Sequence, residues 1–174
     1  MKKPVARDRQ CVLFDWGDTV MHVFPEFSGS MEDWPRVEAI EGVREAIQDT
    51  RRDALVCLAT NAADSGEHAI RGALARVELE DLFDRIFCFE VVGFRKPSPS
   101  FYGTIVEQLE VDPDRVFMVG DDFQADVQGA TAVGIKSVWF NRTSSDELSD
   151  TLFTTIHSFD RLREALGKLG FRRT

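Results

Sequence analysis

The chain has 174 residues, 43% hydrophobic and 29% charged, which is one domain's worth of ordinary globular composition and excludes disordered, collagen-like and coiled-coil chains. Its 30 acidic residues outnumber 21 basic ones, giving a formal net charge of -9, the reverse of the balance that phosphate-contacting duplex binders need, so nucleic-acid scaffold binding is not expected. No apolar run reaches the roughly 18 residues of a membrane span, and residues 1–10 carry charge with no apolar segment behind them, so neither a span nor an export signal is expected and the cytoplasm is the default location.

In chain order, the first short apolar run is 11–14. A segment rich in aromatics, 20–41, follows with His22, Phe24, Pro25, Phe27, Trp34 and Pro35. A helical pattern at 42–52 sets Val43, Ala46 and Ile47 on one face. The run 54–59 leads to a helix at 67–77, carrying Ile70, Ala73 and Leu74. The run 85–89 leads to a helix at 99–109, carrying Phe101, Ile105 and Leu109. The run 115–119 leads to a helix at 122–133, carrying Ala125, Gly129 and Ala132. A fifth run, 135–140, is followed by a short strand at 155–157 and a last helix at 161–169. The basic stretch 168–173 suits the negative pole of that helix.

The apolar runs are continuous rather than alternating, as in strands covered on both faces of a parallel sheet. Strands alternating with helices imply right-handed crossovers and a doubly wound α/β sheet. The expected organisation is a single domain over 1–174, with 20–41 as a short insert after the first strand. Cys11, Cys57 and Cys88 sit in apolar runs without ligand-type spacing and are expected to be buried free thiols.

Doubly wound sheets bind ligands at the carboxyl ends of their strands. Four groups collect there: Asp15-Trp-Gly-Asp-Thr19, Thr60-Asn61, the turn holding Lys96, and Gly120-Asp-Asp-Phe-Gln-Ala-Asp126. Carboxylates gathered in a half-buried crevice repel one another. A divalent cation removes that repulsion, and oxygen-only ligands favour magnesium over zinc. Magnesium and Lys96 together would neutralise a phosphate, and phosphoryl transfer needs little beyond positioning and charge neutralisation. A carboxylate can then accept the phosphoryl group and water can release it.

These four motifs, in order over 12–140, resemble the haloacid dehalogenase-like hydrolase superfamily. The resemblance implies a Rossmann-like core with a minimal cap and a phosphatase-like reaction. It makes Asp15 of Val12-Leu-Phe-Asp-Trp-Gly-Asp-Thr19 the nucleophile and a metal ligand. Thr60 would bind the transferring phosphoryl oxygens, with the Asn61 backbone nearby. Lys96 of Lys96-Pro-Ser-Pro99 would join them. Asp121 would ligate Mg2+, and Asp122 and Asp126 would hold its waters or orient Lys96. The backbone carbonyl of Gly17 would complete the metal ligands.

One position departs from the pattern. The family's general acid and base, an Asp two residues after the nucleophile, is replaced here by Gly17, with Asp18 one place later where the family usually has Gly. Losing such a group typically costs about 10²–10⁴ in rate. Asp18 could swing in, His22 could protonate the leaving oxygen, or the substrate could carry a leaving group that needs no acid, such as an acyl phosphate. The leading expectation is hydrolysis of a phosphomonoester or acyl phosphate, on a small phosphorylated substrate or, given an open site, a phosphorylated macromolecule, with a homo-oligomer left open. The alternative is a phosphate- or partner-binding regulatory module with weak turnover. Cleavage of a C–P or C–halogen bond ranks last: dehalogenases need no metal, and 20–41 lacks the cap lysine of phosphonate-cleaving relatives.

Overall fold

The computed structural model describes residues 9–173, so most of the N-terminal stretch on which the export-signal expectation rests lies outside it. Six strands form one wholly parallel sheet: β1 (Cys11–Phe14), β2 (Leu55–Ala59), β3 (Arg85–Phe87), β4 (Val116–Gly120), β5 (Lys136–Phe140) and β6 (Phe153–Ile156). Their spatial order is β3-β2-β1-β4-β5-β6. The sheet grows outward from β1 to one edge, then the chain returns to the other side of β1. That reversal opens a crevice at the carboxyl ends of β1 and β4.

The continuous apolar runs are explained by helices on both faces. Val12, Phe14, Val56 and Leu58 pack on one face against α1 (Val43–Thr50), α2 (Glu67–Ala75) and α6 (Leu162–Lys168), through residues such as Ile47, Ile70 and Leu166. Cys11, Leu13, Cys57 and Met118 pack on the other against Phe101, Tyr102 and Ile105 of α4 (Pro99–Leu109) and Ala130 of α5 (Gly129–Thr131). All three cysteines are free and buried, and the Cys11 and Cys57 sulfurs lie 3.8 Å apart. No described helix is long and apolar enough to cross a membrane.

Three elements differ from the sequence expectation. The third strand stops at Phe87 because the chain turns at Cys88 into a short helix, α3 (Phe89–Val92), ended by Gly93 in the left-handed region at φ 78°. The last strand begins two residues earlier than expected. The helix expected over 122–133 opens as a widened π-helical turn, Phe123–Gln128, before becoming α-helical. Such turns recur where a side chain must be placed for function. Here the Asp126 carboxylate reaches back to the Asp122 amide at 3.0 Å.

The insert 20–41 is tied down at its base and at its tip. Ile40 N–H donates to the Val20 carbonyl and His22 N–H to Glu38. Phe24, Phe27 and Trp34 pack as a small aromatic cluster, with the Arg36 guanidinium 4.0 Å above the Phe24 ring. Arg76 from the α2 end donates to the carbonyls of Glu32 and Trp34. The insert therefore stands as a fixed wall beside the carboxyl end of β1.

Candidate active site

β1 and β2 are paired neighbours, Phe14 against Leu58, so Asp15 and Thr60 leave adjacent strand ends, one residue out of register, into the same crevice. The turn after α3 brings in Lys96, which is buried. Its ammonium places all three donors: Asp15 Oδ1 at 2.7 Å, Asp126 Oδ1 at 2.6 Å and the Ala59 carbonyl at 2.9 Å. Burial by itself would lower the Lys96 pKa. The charges of Asp15 and Asp126 outweigh it and hold the group above the ordinary lysine range, so the ammonium stays charged.

Asn61 fixes the Lys96 backbone. Its side chain donates to the Lys96 carbonyl at 2.9 Å and accepts from the Lys96 amide at 2.8 Å. Thr60 accepts from the Ala62 amide at 3.0 Å, which orients its hydroxyl. Gly120 allows Asp126 its place, since a Cβ there would stand 2.1 Å from Asp126 Oδ2.

Asp15, Asp121 and Asp126 offer carboxylate oxygens within 4.8 Å of one another. One ammonium faces three carboxylates, so negative charge is in surplus. Burial first, then the Asp15 charge, pushes Asp121 up to about 7, against a donated bond from Thr19 at 3.1 Å. Burial and the same neighbour raise Asp126, partly offset by Lys96. An oxygen-only donor set with unbalanced charge fits a hard divalent cation.

Asp122 and Asp126, expected to hold the metal's waters or to orient Lys96, differ in what they touch. Asp126 accepts from Lys96 with one oxygen and from the Asp122 amide with the other, and so orients Lys96. The Asp122 carboxylate caps the next turn, accepting from the Ala125 amide at 2.9 Å. Asp121 is the carboxylate from this motif left facing Asp15.

The electrostatics have a measurable sign. The folded pKa of Asp121 lies above its ordinary 3.8, at about 7. Between these values the folded protein binds a proton that the unfolded chain does not, so stability falls as pH rises through that window. Magnesium competing for the same oxygens relieves the penalty only where they are ionised. The rise in Tm on adding magnesium is therefore expected to be larger near pH 7.5 than near pH 5.5. Equal rises at both pH values would contradict this placement of the ion.

The structure does not bring Asp18 or His22 into the cluster. Asp18 sits in the left-handed region at φ 56°, a conformation Asp tolerates better than most residues and Gly best of all. Its Oδ1 accepts from the Val23 amide at 3.2 Å and pairs with Arg142 at 3.4 Å. These contacts make it a turn former. His22 stacks on Phe24 and lines a different depression, with Arg142 and His157. Asp18→Asn is accordingly expected to leave phosphate release, measured at steady state, far above the 10²–10⁴-fold loss, roughly, of removing a general acid.

A Val23 methyl crowds the place of the missing acid. A Cβ on Gly17 would lie 2.9 Å from a Val23 methyl. Val23, Met31, Trp16 and Trp34 line a cavity of about 290 Å³ that opens onto Asp15, Thr60 and Asn61. The Trp16 indole N–H in this wall is buried without a hydrogen-bond partner, a state that costs about 1–3 kcal/mol. Sequence reasoning missed Val23 and Met31 as wall residues, and Arg142 as the partner of Asp18. Arg142 stands just past the end of β5, so the strand-end rule had the means to find it. Nothing in the sequence marks Val23, whose place depends on the path of the turn after Asp15.

A family model described as haloacid dehalogenase-like hydrolase matches residues 13–134. A glyceraldehyde 3-phosphate phosphatase of Pyrococcus furiosus is 35% identical over 75 residues, 43% of this chain and 31% of that protein. An uncharacterized protein from Listeria monocytogenes serotype 4b has a similar solved structure, with TM-score 0.78 and 21% identity over 92% of this chain and 98% of the other. The putative HAD-hydrolase YfnB from Bacillus subtilis, solved bound to magnesium, superimposes with TM-score 0.72 and 15% identity over 91% of this chain and 98% of the other. The chain spans 31%, 28% and 46% of the lengths of the first three curated relatives it matches.

Proposed function

Since this chain belongs to the haloacid dehalogenase-like hydrolase family, we propose that it is a magnesium-dependent phosphohydrolase in which Asp15 attacks phosphorus. The observation that carries this reading is the buried Lys96 ammonium holding Asp15 Oδ1 at 2.7 Å, with Asp121 alongside. Lys96 fixes the carboxylate and leaves its other oxygen for attack. Thr60 and the Asn61 backbone sit where phosphoryl oxygens would be received. Asp15, Asp121 and the Gly17 carbonyl would hold the magnesium, which when bound offsets carboxylate repulsion and neutralises phosphoryl charge. The phosphoryl group passes to Asp15 as an aspartyl phosphate and then to water. The phosphatase names among the relatives agree in reaction class. The substrate is a phosphorylated small molecule or a phosphorylated group on a larger one. The test is release of inorganic phosphate from 4-nitrophenyl phosphate, dependent on magnesium and lost in Asp15→Asn. Absence of release across a broad phosphate panel would overturn the proposal.

A second reading, a binding or regulatory module with slow turnover, is favoured by one observation, the Val23 methyl against Gly17. Restoring an acid by Gly17→Asp alone forces that contact, so the single variant is expected to gain little. Gly17→Asp with Val23→Ala gives the carboxyl room and is expected to raise turnover of alkyl phosphates by about 10²-fold or more. If only the double variant turns over any phosphate ester, the natural chain is a binding module.

A further inference from the structure

We infer that the substrate is an acyl or aryl phosphate whose leaving group is apolar, carries no further negative charge and departs as an anion without being protonated. This rests on the hydrolase reading above and narrows it.

Three features of the crevice point the same way. The first is that, among the described residues, no carboxyl stands at position 17, where the family's general acid would be. Gly17 has no side chain, the adjoining space holds a Val23 methyl at 2.9 Å from where a Cβ would stand, and Asp18 is bound to Arg142 and the Val23 amide. A leaving oxygen beside Gly17 would meet a methyl group and an indole edge rather than a carboxyl. An alkoxide, whose conjugate acid is very weak, cannot depart into such surroundings without a proton, whereas a carboxylate or an acidic phenolate can.

The second is the cavity wall. Its large side chains beyond Thr60 and Asn61 are Val23, Met31, Trp16 and Trp34, with Asp64 and Ser65 as further polar residues. A space of about 290 Å³ with two indoles suits one aromatic ring or a short branched chain. Trp34 is held there by its Nε1, which donates to the carbonyls of Ser28 and Gly29 at 3.2 Å each.

The third is charge. Among the described residues lining the cavity the charged side chains are Asp15 and Asp64, both acidic. Arg95 donates to the Asn61 carbonyl and stacks over the Phe89 ring, outside the lining. A second phosphate or a carboxylate on the leaving group would find no cation in the wall and would face Asp64.

The step balances without further reagents. Asp15 forms a bond to phosphorus as the bond from phosphorus to the bridging oxygen breaks. The electron pair leaves with that oxygen as a carboxylate or phenolate. Water then adds to phosphorus, Asp15 regains its carboxylate, inorganic phosphate departs, and the water proton passes to solvent.

Matched pairs of substrates test this, each corrected for spontaneous hydrolysis and assayed with the full chain and magnesium. Benzoyl phosphate and benzyl phosphate share size and apolarity but differ in the leaving anion. Benzoyl phosphate is expected to show kcat/KM at least about 100-fold higher, with 4-nitrophenyl phosphate between them. Against 4-carboxybenzoyl phosphate, benzoyl phosphate should be favoured about 10-fold or more, because the charged side chains lining the cavity are both acidic. Trp34→Ala should raise KM for benzoyl phosphate several-fold more than KM for acetyl phosphate, which is too small to reach the indole, with kcat for the two changing in parallel, a split that general misfolding would not produce. Equal kcat/KM for benzoyl and benzyl phosphate, or no penalty for the added carboxylate, would overturn the inference while leaving the hydrolase reading intact. No enzymatic turnover of any of these would overturn both.

Discussion

Replacing Lys96 with alanine is expected to cost the protein both its turnover and roughly 3–5 kcal/mol of stability, the usual loss when one partner of a buried ion pair is removed. The reason is the arithmetic of the cluster. Lys96 is the ammonium that compensates Asp15 and Asp126, and its side chain is 2% exposed. Without it Asp126, fully enclosed, keeps only the Asp122 amide, and Asp15 loses the bond that orients it. Equilibrium unfolding in urea reads the stability loss directly, provided the slope stays unchanged. Magnesium should restore part of the stability, because it neutralises Asp15 and Asp121, and little of the activity. Loss of activity with wild-type stability would mean that the buried charges are balanced by some group other than Lys96.

Asp15→Asn is expected to behave in the opposite way. Removing a nucleophile that acts as part of a unit lowers turnover by about 10⁴–10⁶-fold. Stability without magnesium should stay near that of the unaltered chain, or rise, because one of three mutually repelling carboxylates has gone while Lys96 keeps Asp126 at 2.6 Å. The stabilisation by magnesium should shrink, since Asp15 would be one of its ligands. Phosphate release under saturating aryl phosphate and thermal unfolding with and without the ion measure the two halves. An Asp15→Asn protein as unstable as Lys96→Ala would contradict the charge surplus on which the metal assignment stands.

The contrast between these variants explains what the sequence could and could not reveal. Strand positions were legible because the runs at Cys11–Phe14 and Val116–Gly120 are buried on both faces and so lack alternation. The gathering of Asp15, Thr60, Lys96 and Asp121 followed from a topological rule, that residues after parallel strands face one crevice. What each carboxylate touches did not follow. Asp121, Asp122 and Asp126 read alike as acidic residues of one motif. They separate into one facing Asp15, one capping a turn and one gripping Lys96 only when the backbone takes its π-helical path through Phe123–Gln128. Asn61 shows the same limit. Its place after β2 was evident, but its two bonds to the Lys96 backbone join positions 35 residues apart.

The departure at Gly17 was visible in the sequence as a missing carboxyl. Its physical meaning is steric. Val23 crowds the Cβ position of Gly17, and Asp18, in a left-handed turn, holds that path. A simple deletion would leave room for water or for a substrate group to act as acid. The Val23 methyl leaves less room for either beside Gly17, and this bears on the second half of the reaction as well. On the proposed mechanism a phosphorylated Asp15 would have Asp121 nearby but no carboxyl at position 17, and attack by water is expected to be the slow step for substrates that leave easily.

The central claim is that Asp15 takes the phosphoryl group onto its own carboxylate. With 4-nitrophenyl phosphate and magnesium, rapid acid quench followed by mass spectrometry of the peptides tests it most directly. The expected result is a burst of nitrophenol in the first turnover and one phosphoryl group on the peptide containing Asp15, both absent in Asp15→Asn. Steady release of phosphate with no adduct at Asp15, or with the adduct on another residue, would contradict it.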